Sequence, residues 1–350
     1  MEPVTHFLTG ACLSRAGFNR KTAYATLAMT LAAEAPDLDV LWGLRGPVAG
    51  FQHHRGISHT FIAAPVVALV TVGVVWLVHR WKKKPPLIAP RWGLLWLFAL
   101  FAALSHLLLD YTNNYGLRPF FPFNGHWYER SIVFIFDPII FLALLASFIM
   151  PWLFGLADRE IGARRSRFRG RGWSITALIF IVLWWSLRNA EHAHAIELVR
   201  NGGLVSEPIT HIDAEPSIIN PFAWQVVAET HDFYQTTEVQ TLQNRVGTDT
   251  ATILYKPQVT PAVAAAKQSW LGRVYLDWSE FPVVTDVGNA PAPNQAPPQP
   301  AWHTVEFQDL RFDRLGASGD ENNRPLSAWE YLGPSDEVEA MFIGGREQKQ

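Results

Sequence analysis

Apolar residues crowd the first half of the chain and thin out in the second. Three runs approach or exceed the ~18–20 residues a helix needs to cross a bilayer. They are residues 60–79 (TFIAAPVVALVTVGVVWLVH), 92–109 (WGLLWLFALFAALSHLLL) and 138–157 (PIIFLALLASFIMPWLFGLA). A fourth, 173–189 (WSITALIFIVLWWSLRN), is slightly short but rimmed by tryptophan, which favours the membrane interface. Residues 3–36 predict two shorter helices around a turn at Gly17-Phe18-Asn19. About 14 residues give ~21 Å at 1.5 Å per residue, so these read as a hairpin packed among the spans.

From about residue 191 the chain is polar, and 222–242, 250–256, 270–278 and 302–312 are rich in β-branched and aromatic residues that predict strands. The Pro-rich stretch 289–301 reads as an extended loop and the tail GGREQKQ as disordered. The expected fold is a mainly α integral membrane domain over 1–190, a helical hairpin plus about four transmembrane helices. A small mostly-β extracytoplasmic domain follows over 191–350.

Composition sharpens this only in part. Hydrophobic residues make up 49% of the chain, so the apolar content must be concentrated in segments. A net charge of −2 offers no reason to expect nucleic acid as a partner. The lone cysteine, Cys12, excludes an internal disulfide framework and a zinc ribbon. MEPVTHFLTG has no basic stretch ahead of its apolar residues, so a cleaved signal peptide is not expected.

The loops set the orientation. Residues 80–91 carry five basic residues and no acid, and 158–172 carry six arginines against two acids. Both should be cytoplasmic. The chain near 59, 110, 137 and 190 then lies at the outer face of an inner membrane, and the carboxy-terminal domain follows it out. The hairpin tip, with Arg15, Arg20 and Lys21, faces the cytoplasm and returns His6 and residues 35–39 to the outer face.

Ionisable residues therefore gather at one level: His6, Asp37, Asp39, His53, His54, His59, His106, Asp110, His126, Glu129 and Asp137. His106 and Asp110 stand at i and i+4 on one helix face, where an imidazole and a carboxylate can hold one cation or simply each other. Asp37 follows the break at Pro36, whereas Asp39 can serve turn chemistry. His59 precedes a span at membrane depth, where polar groups are usually functional. Adjacent His53 and His54 rarely both ligate, so one binds metal or shuttles protons and the other is solvated. Arg55, a permanent cation, suits an anionic substrate oxygen or a snorkelling anchor. Asp137-Pro138 reads as a helix cap. Imidazole and carboxylate donors without cysteine suit one or two ions of Zn²⁺, Mn²⁺ or Fe²⁺. The metal set is His6, Asp37, His54, His59, His106 and Asp110, with Arg55, Asp39 and His53 as catalytic candidates.

The segments MEPVTHFLTG, PDLDVLW, HHRGISHT and SHLLLDYTNNYG resemble, in that order, motifs of the YdjM/YbcI-like family of membrane-bound metal-dependent hydrolases. The resemblance covers roughly residues 1–160, and 220–234 is similar to an extension found on longer members. It implies metal-dependent hydrolysis without naming a substrate. A fainter likeness is to zinc-dependent phospholipase C and the S1/P1 nucleases. Their ligand order of His, Asp, His and His-x-x-x-Asp is matched by His6, Asp37, His59 (or His54), His106 and Asp110. Two departures stand against a three-metal cluster. Those enzymes ligate through a mature amino-terminal residue, and His126 and Glu129 are three apart rather than four.

The function expected is hydrolysis of a phosphoester, in a small molecule or a lipid headgroup, at the outer membrane face. Activated water would attack phosphorus, Arg55 would steady the phosphoryl oxygens, and Asp39 or the spare histidine would handle protons. The alternatives are a metal-stabilised membrane scaffold whose outer domain binds a protein partner, and an ion transporter. The span centres carry no ionisable pathway to support the transporter.

Overall fold

The computed structural model describes residues 1–160, 170–316 and 326–349. Residues 161–169, which carry most of the second basic loop, lie outside the described residues. The helices before the first strand are α1 (Pro3–Ala16), α2 (Ala25–Glu34), α3 (Pro47–His53), α4 (Ala64–Trp81), α5 (Trp92–Tyr111), α6 (Pro138–Glu160) and α7 (Arg171–Asn201). The chain forms two compact units. The first holds Met1–Leu38, Arg55–His192 and Pro216–Pro221; the second holds Asp39–His54, Ala193–Glu215 and Phe222–Gln350.

The first unit is helical. Four helices are long and apolar enough to cross a membrane: Ala64–Trp81, Trp92–Tyr111, Pro138–Leu156 and Arg171–Asn201. Leucine, valine and phenylalanine cover their outward faces, among them Leu69, Val70, Leu97, Phe101, Leu142 and Val182. α1 and α2 form the expected hairpin. Glu2 caps α1, accepting from the Val4 and Thr5 amides at 2.6 and 2.8 Å, with Pro3 at the first helical position. Gly10 lets α1 press onto α2, since a Cβ there would stand 2.5 Å from the Met29 carbonyl oxygen and 2.8 Å from Ala33 Cβ. The core between α2, α4 and α5 is built from small residues, Ala25, Ala28, Ala32, Ala68, Ala99 and Ala102. Where lipid removes the hydrophobic drive between helices, small side chains bring backbones close. That seam sets α2 and α5 in the register the metal centre uses.

The second unit carries two antiparallel sheets. One runs β1 (His211–Pro216), β2 (Ala223–Glu229), β3 (Phe233–Gln240), β4 (Arg245–Val246), with β5 (Thr252–Tyr255) also paired to β3. After helices α8 (Pro261–Gln268) and α9 (Trp270–Trp278), the other contains β6 (Pro282–Asp286), β7 (His303–Asp309), β8 (Ala328–Leu332), β9 (Val338–Ile343) and β10 (Arg346–Glu347), in the order β10-β9-β8-β7-β6. Residues 222–242 are largely the β2–β3 hairpin.

Two expectations fail here. Residues 270–278 are the helix α9, not a strand. Leu271, Tyr275 and Trp278 are buried at helical spacing, and Ser269 Oγ caps the helix by accepting from the Gly272 amide at 2.8 Å. Aromatic content mimicked a strand while the period was that of a helix. The tail is not disordered as far as residue 349. Arg346 and Glu347 pair with Ile343 and Phe342, and the Gln348 side chain accepts from the Val48 amide at 3.0 Å and donates to the Arg45 carbonyl at 3.1 Å.

Candidate metal centre

Five segments of the first unit converge. His106 and Asp110 occupy one face of the last turns of α5. His106 Nδ1 donates to the Ala33 carbonyl at 2.7 Å, near the end of α2. This bond fixes the tautomer and turns the Nε2 lone pair into the cluster. Asp37 enters from the 3₁₀ stretch Ala35–Arg45 that follows α2. His59 ends a single 3₁₀ turn (Ile57–His59) just before α4, with its Nδ1 3.0 Å from Ser58 Oγ. His6, on α1, stacks on the His106 ring at 3.7 Å. His6, His59, His106 and Asp110 are fully buried, and the Asp37 side chain is 13% exposed, so Asp37 marks the side from which the centre can be approached.

The donor atoms lie close together. His59 Nε2 and His106 Nε2 are 3.0 Å apart. Asp37 Oδ1 is 3.3 Å from His59 Nε2 and 3.6 Å from His106 Nε2. Asp110 Oδ2 is 3.4 and 3.3 Å from the same two nitrogens. Four ligands held ~2.0–2.1 Å from one ion at tetrahedral angles stand about 3.3–3.4 Å apart. Without a cation polar atoms in and around this cluster are poorly served. Asp110 Oδ2, Asp37 Oδ2 and both His6 ring nitrogens are buried with no hydrogen-bond partner among the described residues, a costly condition. Burial, the nearby His106 and the Met1 amine push His6 down to about 3, so its ring is neutral. Burial favours protonation of Asp37, but the His59 hydrogen bond and the neighbouring His106 and His6 outweigh it and hold the carboxylate below its usual range. Asp37, His59, His106 and Asp110 can hold a metal ion.

Residues 1–195 match the family described as YdjM inner membrane protein. The chain belongs to the YdjM inner membrane protein family. It is also 28% identical over 163 residues to the uncharacterized protein YfhP of Bacillus subtilis, a match covering 44% of this chain and 47% of that protein. The match thus spans about half the length of that curated relative. No solved structure matches the chain.

In this YdjM-family centre Arg55 is paired with the ligand Asp110. It is 2% exposed, with φ +52°. Its guanidinium donates to Asn113 Oδ1 at 3.0 Å and the Gly116 carbonyl at 2.8 Å, and pairs with Asp110 Oδ1 at 2.9 Å. The Met1 amine also contacts Asp110 Oδ1. Asp110 is therefore divided: Oδ1 is anchored by cations and Oδ2 faces the histidines. The fork that sequence assigned to substrate oxygens is engaged with Asp110.

The remaining candidates sit elsewhere. In the second unit, His54 Nδ1 is 3.1 Å from Asp39 Oδ1, and His53 stacks on Trp42 at 4.1 Å. Neither histidine belongs to the four-residue donor group. His126 meets the Tyr128 ring edge-on at 4.8 Å. Asp137 caps α6 as its Pro138 neighbour suggested, accepting from the Ile139 and Ile140 amides at 2.8 and 2.9 Å and from Trp184 Nε1 at 3.0 Å. Sequence reasoning missed Asn113, which bridges Arg55 and the Tyr115 amide. Its proximity to Asp110 in LLLDYTNN was the available signal. It also missed the Ala33 carbonyl, which no side-chain pattern reveals.

Proposed function

We propose that this YdjM-family protein is a membrane-bound metal-dependent hydrolase acting on a phosphoester, with its centre at the outer face of the membrane. The single observation that carries the reading is the close approach of the His59, His106, Asp37 and Asp110 donor atoms, with Asp110 Oδ2 buried and without a hydrogen-bond partner among the described residues. Two imidazoles and two carboxylates suit Zn²⁺ best, with Mn²⁺ and Fe²⁺ also compatible. When bound, such an ion supplies a Lewis acid and lowers the pKa of water toward neutrality.

The chain's own residues supply the rest. The Ala33 carbonyl orients His106, and Arg55 with Asn113 orients Asp110. Burial of three of the four ligands excludes bulk water, leaving approach on the side of Asp37. Asp39 Oδ1 and His54 Nδ1 stand 3.1 Å apart, and this carboxylate–imidazole pair is the proton-transfer candidate. A second reading, a metal-stabilised scaffold, is favoured by the same burial together with a donor set already complete at four.

Elemental analysis and phosphate release from a panel of water-soluble and lipid phosphoesters separate the two. The hydrolase reading expects about one equivalent of transition metal after metal-supplemented purification in detergent, and chelator-sensitive release of phosphate. Metal without release supports the scaffold. Less than about a tenth of an equivalent removes both.

The placement at the outer face is supported by the basic loop 80–91 at the opposite ends of α4 and α5. A phosphatase active only outside the cytoplasm, fused after residue 350, is expected to be active. Activity instead of a cytoplasm-only reporter would move the centre to the cytoplasmic side.

A further inference from the structure

Directly after Asp37 the chain turns an apolar ridge outward. Within the 3₁₀ stretch Ala35–Arg45, Leu38, Val40, Leu41, Trp42 and Leu44 are 62, 68, 58, 36 and 85% exposed. Five large apolar side chains are exposed among seven consecutive residues, and Leu38, Leu41 and Leu44 fall at the three-residue repeat that shares one face of a 3₁₀ turn, unlike the scattered exposure of an ordinary surface. The charges around it are sorted. Asp39 is withdrawn, 7% exposed and hydrogen-bonded to His54 Nδ1 at 3.1 Å. Arg45 stays at the rim with its guanidinium 4.7 Å from the centre of the Trp42 ring. Trp42 is backed on its other contact by the His53 ring at 4.1 Å. The ridge also has a fixed base, because Gln348 binds the Arg45 carbonyl and the Val48 amide.

A tryptophan and an arginine flanking bare leucine and valine are the signature of a segment lying in the membrane interface. The aromatic ring and guanidinium sit among headgroups while the aliphatic side chains enter the acyl boundary. The position along the chain agrees. His106 and Asp110 lie in the last turns of the spanning helix α5, which puts the metal centre at the end of a span. Val40 follows the ligand Asp37 by three residues in the chain. The rim charge is basic, which suits anionic phospholipid.

We propose that residues 38–45 form a membrane-inserting ridge. Val40, Leu41 and Leu44 enter the boundary between headgroups and acyl chains, and Trp42 and Arg45 hold the headgroup level. The partner is the lipid surface itself. The ridge stands independently of hydrolysis.

The test is depth-resolved quenching in the full chain. Leu41→Cys and Leu44→Cys are made in the native background, where Cys12 is fully buried, and labelled with an environment-sensitive fluorophore. Leu242→Cys, at a residue 71% exposed in the same unit, is the aqueous control. Each protein is reconstituted into vesicles of zwitterionic and anionic phospholipid. Nitroxide-bearing lipid is expected to quench positions 41 and 44 about five-fold more than position 242, with iodide showing the reverse order. All three side chains are exposed, so the substitutions leave the core intact. Iodide reaching positions 41 and 44 as readily as 242 would overturn the proposal. Neither quencher reaching them would overturn it too, by showing that protein covers the ridge.

Discussion

Asp110→Asn is expected to reduce bound metal below about a tenth of the wild-type content and to weaken the membrane unit by ~3–5 kcal/mol. One oxygen of this carboxylate neutralises Arg55 at 2.9 Å and the Met1 amine, and the other faces His59 and His106 at 3.4 and 3.3 Å. An asparagine amide cannot serve both. With its oxygen toward Arg55, its NH₂ donates to the histidine nitrogens and fills the place of the ion. With the amide reversed, two NH groups meet a guanidinium and an amine. Either way a buried cation loses its counter-charge. Arg55→Lys should act more mildly on the same group. An ammonium cannot reproduce the planar fork that joins Asp110, Asn113 and the Gly116 carbonyl. Metal affinity is expected to fall about 10–100-fold, the usual effect of losing a partner that orients a ligand. Elemental analysis and melting with and without added metal measure both variants. Wild-type melting should rise on metal addition and Asp110→Asn melting should not. Wild-type metal content in Asp110→Asn would remove Asp110 from the ligand set.

Glu330→Gln is expected to stabilise the chain above pH 8. Glu330 lies fully buried in β8, its Oε1 accepting from Ser269 Oγ at 2.5 Å and its Oε2 buried without a hydrogen-bond partner among the described residues. Burial pushes its carboxyl from 4.5 up to about 8, against a small opposing effect of the Ser269 hydrogen bond. The folded state therefore holds a proton that the unfolded chain releases. The stability it brings is complete below the unfolded value of 4.5 and is lost as pH rises toward about 8. At ~1.4 kcal/mol per pH unit, the loss across that window is on the order of 3–5 kcal/mol. Glutamine keeps the shape, and Ser269 can rotate to accept from its amide. Melting should fall several degrees less between pH 6 and 9 in the variant than in wild type, at about 2–4 °C per kcal/mol for a unit of this size. Equal declines would show that Glu330 ionises without cost.

The sequence by itself determined the spans, the hairpin and the families of donors. Bilayer thickness demands long apolar runs, and runs such as 92–109 can be read without knowing any neighbour. The i and i+4 spacing of His106 and Asp110, and the cap at Asp137, are local and were equally legible. Tertiary structure alone decided which ionisable residues meet. His53, His54 and His59 lie within seven positions, yet of the three the four-residue donor group holds His59, at the end of its 3₁₀ turn. Arg55 reads as a substrate clamp in sequence, and its contacts with Asp110, Asn113 and the Gly116 carbonyl, more than fifty residues away in the chain, appear only in the folded structure. At 270–278 aromatic composition suggests a strand, while the spacing of Leu271, Tyr275 and Trp278 is that of the helix the chain forms. A one-dimensional pattern records what each residue prefers. Which lone pairs are left facing one another depends on backbone contacts, such as that of Gly10 with Met29 and that of Ala33 with His106, and these arise only when the chain closes on itself.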